Sequence, residues 1–207
     1  MTRMMFRPVV AGSVQIEPLT VDEYNRMIES GELKEDTSIE LIHGFLRRKN
    51  RAAAGEDPMT IGNSHTIVLQ KLMRLAPLIE KQGSYLQLQQ PIIISPSSEP
   101  EPDGSIILGN LEDRRGKPRV QGVVCVIEVA DSSLSDDRGW KRELYASAGT
   151  ACYVICNIPD HQVEVNTQPV KTSSRYRKTI VLRPDEVLKL PVNKDRFLDV
   201  PVEKLLP

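Results

Sequence analysis

The sequence predicts an α/β protein, a mixed β-sheet flanked by helices. It forms a single domain over residues 19–207 behind a flexible leader at 1–18. Three observations carry this. Val123–Val129 and Ala151–Ile158 are nearly all apolar, the texture of strands buried on both faces. Between them, Asp136–Ala148 reads as a helix closed by Gly149. Shorter strand-like runs lie on either side, so helices and strands share one sheet-building order. A chain of 207 residues suits one domain. It should bury about 70% of its extended surface, enough for a core without disulfide or metal.

The elements follow in chain order. Thr20-Val21-Asp22-Glu23 is a capping box that opens a short helix ending near Gly31. Ser38–Lys49 alternates about Gly44 as a strand or hairpin, and Arg51–Pro58 is a polar loop. From Ile61 to Lys81, the residues Ile67, Val68, Leu72, Leu75, Leu78 and Ile79 recur at three- and four-residue steps. That spacing predicts an amphipathic helix with a bend at Pro77. Tyr85–Ser95 and Asp103–Leu108 read as strands. Gln162–Val165 and Thr179–Leu182 read as antiparallel edge strands, and residues 188–207 as irregular chain with room for one short strand.

Lys and Arg number 27 against 28 Asp and Glu, a net charge of −1. This excludes a histone-like polycation and a long acidic tail. DNA binding stays open, because it depends on where the basic residues sit. No run reaches the length of about 18 apolar residues that a membrane span needs, and Met1–Pro8 lacks the apolar run of a signal peptide. Cys125, Cys152 and Cys156 form no C-x-x-C pair and read as buried free thiols of a cytoplasmic protein. Neither a dinucleotide-binding glycine motif nor a P-loop occurs.

Three polar features stand out. Pro100-Glu101-Pro102-Asp103 places a carboxylate where a strand begins. Glu128 is the single charge in an apolar strand, and it needs a partner, a proton or a metal. Asp137, Lys141 and Tyr145 are four apart and share one helix face. If that helix packs back on the sheet, Lys141 reaches the carboxylates. Two carboxylates joined by a lysine suit metal-assisted phosphodiester cleavage: Mg²⁺ takes hard oxygen ligands, lowers the pKa of a bound water, and a lysine orients that water or stabilises the developing anion. Each feature also has an ordinary structural alternative. Glu128 could be a salt-bridged strand-end carboxylate, Asp137–Lys141 a surface pair, and Pro102-Asp103 a turn.

These residues resemble the Uma-two family, a former domain of unknown function grouped with restriction endonucleases of the PD-(D/E)XK superfamily. The resemblance runs from about Leu19 to Asn157. Leu19–Tyr24 is similar to the family's opening "LTxEEY", Ile39–Gly44 to its "YELIdG", His65 to its lone histidine, Pro102-Asp103 to its "PD", and Glu128-Val129 to its "EV". Asp137, Lys141, Tyr145 and Gly149 match its "D-r-x-x-K-x-x-x-Y-a-x-x-G". The chain departs from the family at Glu128–Leu134 and at Cys152–Asn157. The resemblance implies a restriction-endonuclease-like core in which Asp103 and Glu128 ligate Mg²⁺ (or Mn²⁺). Ala130 stands where the superfamily usually carries its lysine, and Lys141 on the helix replaces it. Glu40 becomes an accessory acid, with His65, Asp137 and Tyr145 as accessory residues.

Basic clusters that could meet phosphate are Arg47-Arg48-Lys49-Asn50-Arg51, Arg114-Arg115-Gly116-Lys117-Pro118-Arg119 and Arg175-Tyr176-Arg177-Lys178. The expected function is a cytoplasmic, Mg²⁺-dependent endonuclease acting on DNA, as a homodimer or higher homo-oligomer and without a membrane. The alternative is a non-catalytic nucleic-acid-binding or scaffold protein on the same fold.

Overall fold

The computed structural model of the protein describes residues 17–33, 39–48 and 62–207. Residues 1–16 of the expected leader, the loop Arg51–Pro58 and Ile61 lie outside the described residues. The chain divides into two compact units, residues 1–49 with 96–99, and residues 50–95 with 100–207.

In the first unit, α1 (Val21–Glu29) starts at the expected capping box. Glu23 N–H donates to Thr20 Oγ1 at 3.2 Å, and Thr20 N–H donates to Glu23 Oε2 at 2.8 Å. Two of the helix's orphan donors are thereby satisfied. β1 (Ile39–Ile42) and β2 (Phe45–Arg48) form an antiparallel hairpin. His43 and Gly44 both have positive φ at its turn, as a two-residue hairpin loop requires. A Cβ on Gly44 would stand 2.3 Å from the Pro18 Cβ, so only glycine fits.

The second unit begins with α2 (Asn63–Met73) and α3 (Ala76–Glu80). The expected single helix is interrupted at Arg74–Leu75, ahead of Pro77. Proline is tolerated in a helix's first turn, where its missing N–H would be unpaired anyway, so the chain restarts before it. There follow β3 (Ser84–Leu88), β4 (Gly104–Leu108), β5 (Val123–Ala130) and α4 (Leu134–Asp136). A wide turn, Asp137–Lys141, leads into α5 (Arg142–Ala148), which closes at Gly149 with φ 82°. Then come β6 (Cys152–Asn157), β7 (Gln162–Val170), β8 (Arg175–Leu182), β9 (Val187–Asn193) and β10 (Arg196–Pro201).

β3 to β8 form one sheet in sequence order. All neighbours are antiparallel except β5 and β6, which are parallel. That pair needs a crossover, and α4–α5 supplies it. The mixed α/β sheet of the sequence reading is thus present.

Three boundaries differ from expectation. β3 stops at Leu88, because Gln89 turns the chain with φ 48°. β7 is an interior strand, so only β8 of that pair is an edge. Residues 188–207 are largely the β9–β10 hairpin and the turn after it. Leu188, Leu190, Val192, Val200, Val202, Leu205 and Leu206 all enter the core.

Alternation divides the sheet's two faces. Cys125, Ile127, Val129, Val154, Cys156 and Val163 pack with Val68, Leu69 and Leu72 of α2 and with the hairpin. The other face meets the α4–α5 segment. There the buried residues include Glu128, Tyr153, Asn157, Glu164 and Asn166. A polar layer under a helix must be paired throughout, and its pairs build the site.

Candidate active site

The β4–β5 ladder ends at Gly104 and Ile127. Val129 N–H therefore has no backbone partner on β4, and it donates instead to Asp103 Oδ2 at 2.8 Å. His65, in the first turn of α2, places Nε2 3.2 Å from Asp103 Oδ1. Its Nδ1 is buried with no hydrogen-bond partner among the described residues.

Glu128 lies on the face of β5 that meets the α4–α5 segment. Its Oε2 lies 3.0 Å from Lys141 Nζ, and its Oε1 accepts from the Tyr145 hydroxyl at 3.0 Å. Lys141 Nζ is also 2.8 Å from Asp137 Oδ1. Ser133 Oγ donates to Asp137 Oδ2 at 2.5 Å, and the Tyr153 hydroxyl donates to the Asp137 carbonyl at 3.0 Å. The Tyr145 and Tyr153 rings pack at 5.0 Å. Ala130 is fully buried, and the ammonium at Glu128 comes from the helix instead.

Burial and charge together set the protonation of this group. Burial alone would raise Asp103. The hydrogen bond and charge of His65, the Lys141 ammonium and the Val129 N–H outweigh it, so Asp103 lies below the ordinary range. Glu128 is different: burial, with Asp137 and Asp103 adding to it, lifts the carboxyl to about 8 against the pull of Lys141. Asp137 is raised by burial as well. Burial lowers Lys141, but Glu128 and Asp137 overcome it and hold the ammonium well above its usual range. Three carboxylates thus share one lysine.

The Uma2 family model, described as "Putative restriction endonuclease", matches residues 21–200. The chain belongs to the Uma2 family. The Uma2 chain is also similar to a crystal structure of "a putative nuclease belonging to DUF820" from Anabaena variabilis. The TM-score is 0.66 at 17% identity, covering 91% of this chain and 97% of that one. A likeness at that identity establishes the fold. No curated protein matches the chain.

In this Uma2 chain the residues suit a hard divalent cation. Asp103 and Glu128 offer carboxylate oxygens, and a cation would favour the ionised form of Glu128 that burial, with Asp137 and Asp103, opposes. Among the described residues no group of three or more His, Cys, Asp and Glu is gathered for a metal. Mg²⁺ commonly needs only one or two carboxylates, with water and substrate completing its shell.

Glu40 is buried on β1 of the first unit, and Arg47 and Arg48 lie on β2, half-buried and exposed. Arg114, Arg115 and Lys117 lie on the β4–β5 connection, which leaves the sheet at the end away from Asp103. Arg114 and Arg115 donate there to the carbonyls of Gly116 and Glu112. Arg175–Lys178 open β8 at that same end. The sequence reading missed Arg138 and Glu164, which form a bidentate pair. Glu164 is buried on β7, where Gln162-Val163-Glu164-Val165-Asn166 alternates polar and apolar residues. Such alternation is ordinary for a strand with one solvated face, so the sequence carries no signal that Glu164 is buried.

Proposed function

We propose that this Uma2 protein is a metal-dependent nuclease hydrolysing DNA phosphodiester bonds, with Asp103 and Glu128 holding Mg²⁺ or Mn²⁺ and Lys141 serving the attacking water. The observation that carries this reading is the meeting of Lys141 Nζ with Glu128 Oε2 at 3.0 Å, on the strand whose Val129 N–H holds Asp103. A bound divalent ion would supply Lewis acidity toward a phosphoryl oxygen and a water of lowered pKa.

The chain's own residues supply the rest. Asp103, kept ionised by His65, Lys141 and Val129 against its burial, presents a hard anionic ligand. Lys141 is held protonated by its carboxylates, so it acts as a donor and a positive charge rather than as a base. It orients water or stabilises charge developing on phosphate. Tyr145 fixes Glu128, and Asp137 fixes Lys141. Cutting both strands of a duplex takes two such sites, and a homodimer or higher homo-oligomer belongs to this reading.

The test is cleavage of supercoiled plasmid and single-stranded DNA with Mg²⁺ or Mn²⁺, beside an EDTA control and Lys141→Ala. Nicking that needs metal and disappears in the variant supports the proposal. Salt-sensitive DNA binding that persists in EDTA, with no product, replaces it by a binding protein on the same fold.

A further inference from the structure

The turn that carries Asp137 and Lys141 is not held by a regular helix. Gly139 departs from helical geometry at φ −95° and ψ −113°, so the ladder that would fix Lys141 relative to α4 is interrupted. Something else must set where its ammonium sits.

We infer that Arg138 is a positioning residue, whose clamp on Glu164 fixes the Asp137–Lys141 turn and so places the Lys141 ammonium over Glu128. Arg138 Nη2 lies 2.6 Å from Glu164 Oε1, while its Nε lies 3.0 and 3.2 Å from Oε1 and Oε2. Nη2 also meets Asp160 Oδ2 at 3.1 Å. Glu164 is buried on an interior strand, and Asn157 Nδ2 braces it at 2.8 Å while holding Asp160 Oδ2 at 2.9 Å. Asp160 N–H returns a bond to Asn157 Oδ1 at 3.0 Å.

An exposed lysine–carboxylate pair would fix little. A planar fork on a braced, buried carboxylate fixes both direction and distance. Arg138 directly follows Asp137 and directly precedes Gly139, so the clamp grips the chain at its break. Tyr153, on the same sheet face as Glu164, also holds the turn through the Asp137 carbonyl. Neither contact touches the proposed metal ligands.

The kinetic consequence rests on the nuclease reading; the placement of Lys141 does not. The experiment compares wild type with Arg138→Gln and Arg138→Lys, measuring metal-dependent cleavage and, separately, the rate at which an amine reagent labels Lys141, read by mass spectrometry. Misplacing a catalytic group by about 1 Å costs on the order of 100-fold. Arg138→Gln is therefore expected to lower kcat by roughly 10- to 100-fold with KM within about twofold, and Arg138→Lys to recover part of it. Labelling of Lys141, slow in the wild type, rises in Arg138→Gln. Unchanged kcat and labelling overturn the inference, as does a loss confined to KM. If the wild type cuts no DNA, the nuclease reading fails and the labelling rates still decide. If Arg138→Gln does not fold, Arg138→Lys, which keeps the charge without the fork, carries the same readouts.

Discussion

Val129 N–H donates to Asp103 Oδ2 at 2.8 Å, so the strand that carries Glu128 also anchors the other proposed metal carboxylate. The Asp103 carboxylate is thereby tied to the backbone of β5, while Tyr145 and Lys141 hold that of Glu128. Asp103→Asn keeps the shape and one acceptor but loses the charge. The expected outcome is a folded protein less stable by about 1–2 kcal/mol. Millimolar Mg²⁺ should raise the Tm of the wild type and leave that of the variant unmoved, since only a ligand bound to the native state stabilises it. Thermal melts with and without Mg²⁺ make the comparison, and an equal rise in both proteins argues against Asp103 as a ligand.

Lys141 faces two buried carboxylates. Removing one partner of a buried ion pair leaves charge without compensation, at a cost of about 3–5 kcal/mol. Lys141→Ala should lose stability in that range by urea unfolding. Adding Glu128→Gln should return part of it, because one of the two buried acids left without the lysine is then gone. Losses that simply add would mean that Glu128 and Lys141 do not interact energetically.

Glu128 also predicts the direction of a pH effect. Burial lifts its carboxyl from an ordinary 4.5 to about 8, so between those values the folded protein holds a proton that the unfolded chain has released. Its contribution to stability is full below pH 4.5 and is lost as pH rises toward 8. The slope is at most about 1.4 kcal/mol per pH unit. Asp103 lies below its ordinary 3.8, and its contribution is lost only in stronger acid. Lys141 is raised from 10.5, and its contribution is intact throughout this window. In EDTA, the stability of wild type minus that of Glu128→Gln should therefore fall from pH 5 to pH 8. Urea unfolding across that range checks the sign, and a rising difference would refute the assignment.

Much of this site was legible because its residues violate their surroundings. A charge inside Val123–Ala130 is costly unless paired, and the spacing of Asp137, Lys141 and Tyr145 puts its partners on one helix face. Glu164 gives no such signal, because Gln162, Glu164 and Asn166 alternate with Val163 and Val165. That alternation reads as one face in solvent, whereas the α4–α5 segment covers it, so the pairing of Glu164 with Arg138 and Asn157 was not legible. The helix break at Gly139 leaves no mark in the periodicity, since the four-residue stripe survives it. The β9–β10 hairpin was hidden by Pro191, which argues against a central strand. In a two-stranded sheet every strand is an edge, and proline is tolerated there.

That hairpin carries the last prediction. Leu190 is 1% exposed and packs in the core of the second unit, whereas Lys189 beside it points out and pairs with Asp199 at 3.0 Å, both side chains well exposed. Leu190→Ala removes buried methyl groups and leaves a cavity, for an expected loss of about 2–5 kcal/mol. Lys189→Ala removes only a surface pair and should stay within about 1 kcal/mol. Equilibrium urea unfolding of the two variants separates these outcomes. Near-equal effects would mean that the chain's last strands lie on the core without contributing to it, and the irregular reading of residues 188–207 would be the better one energetically.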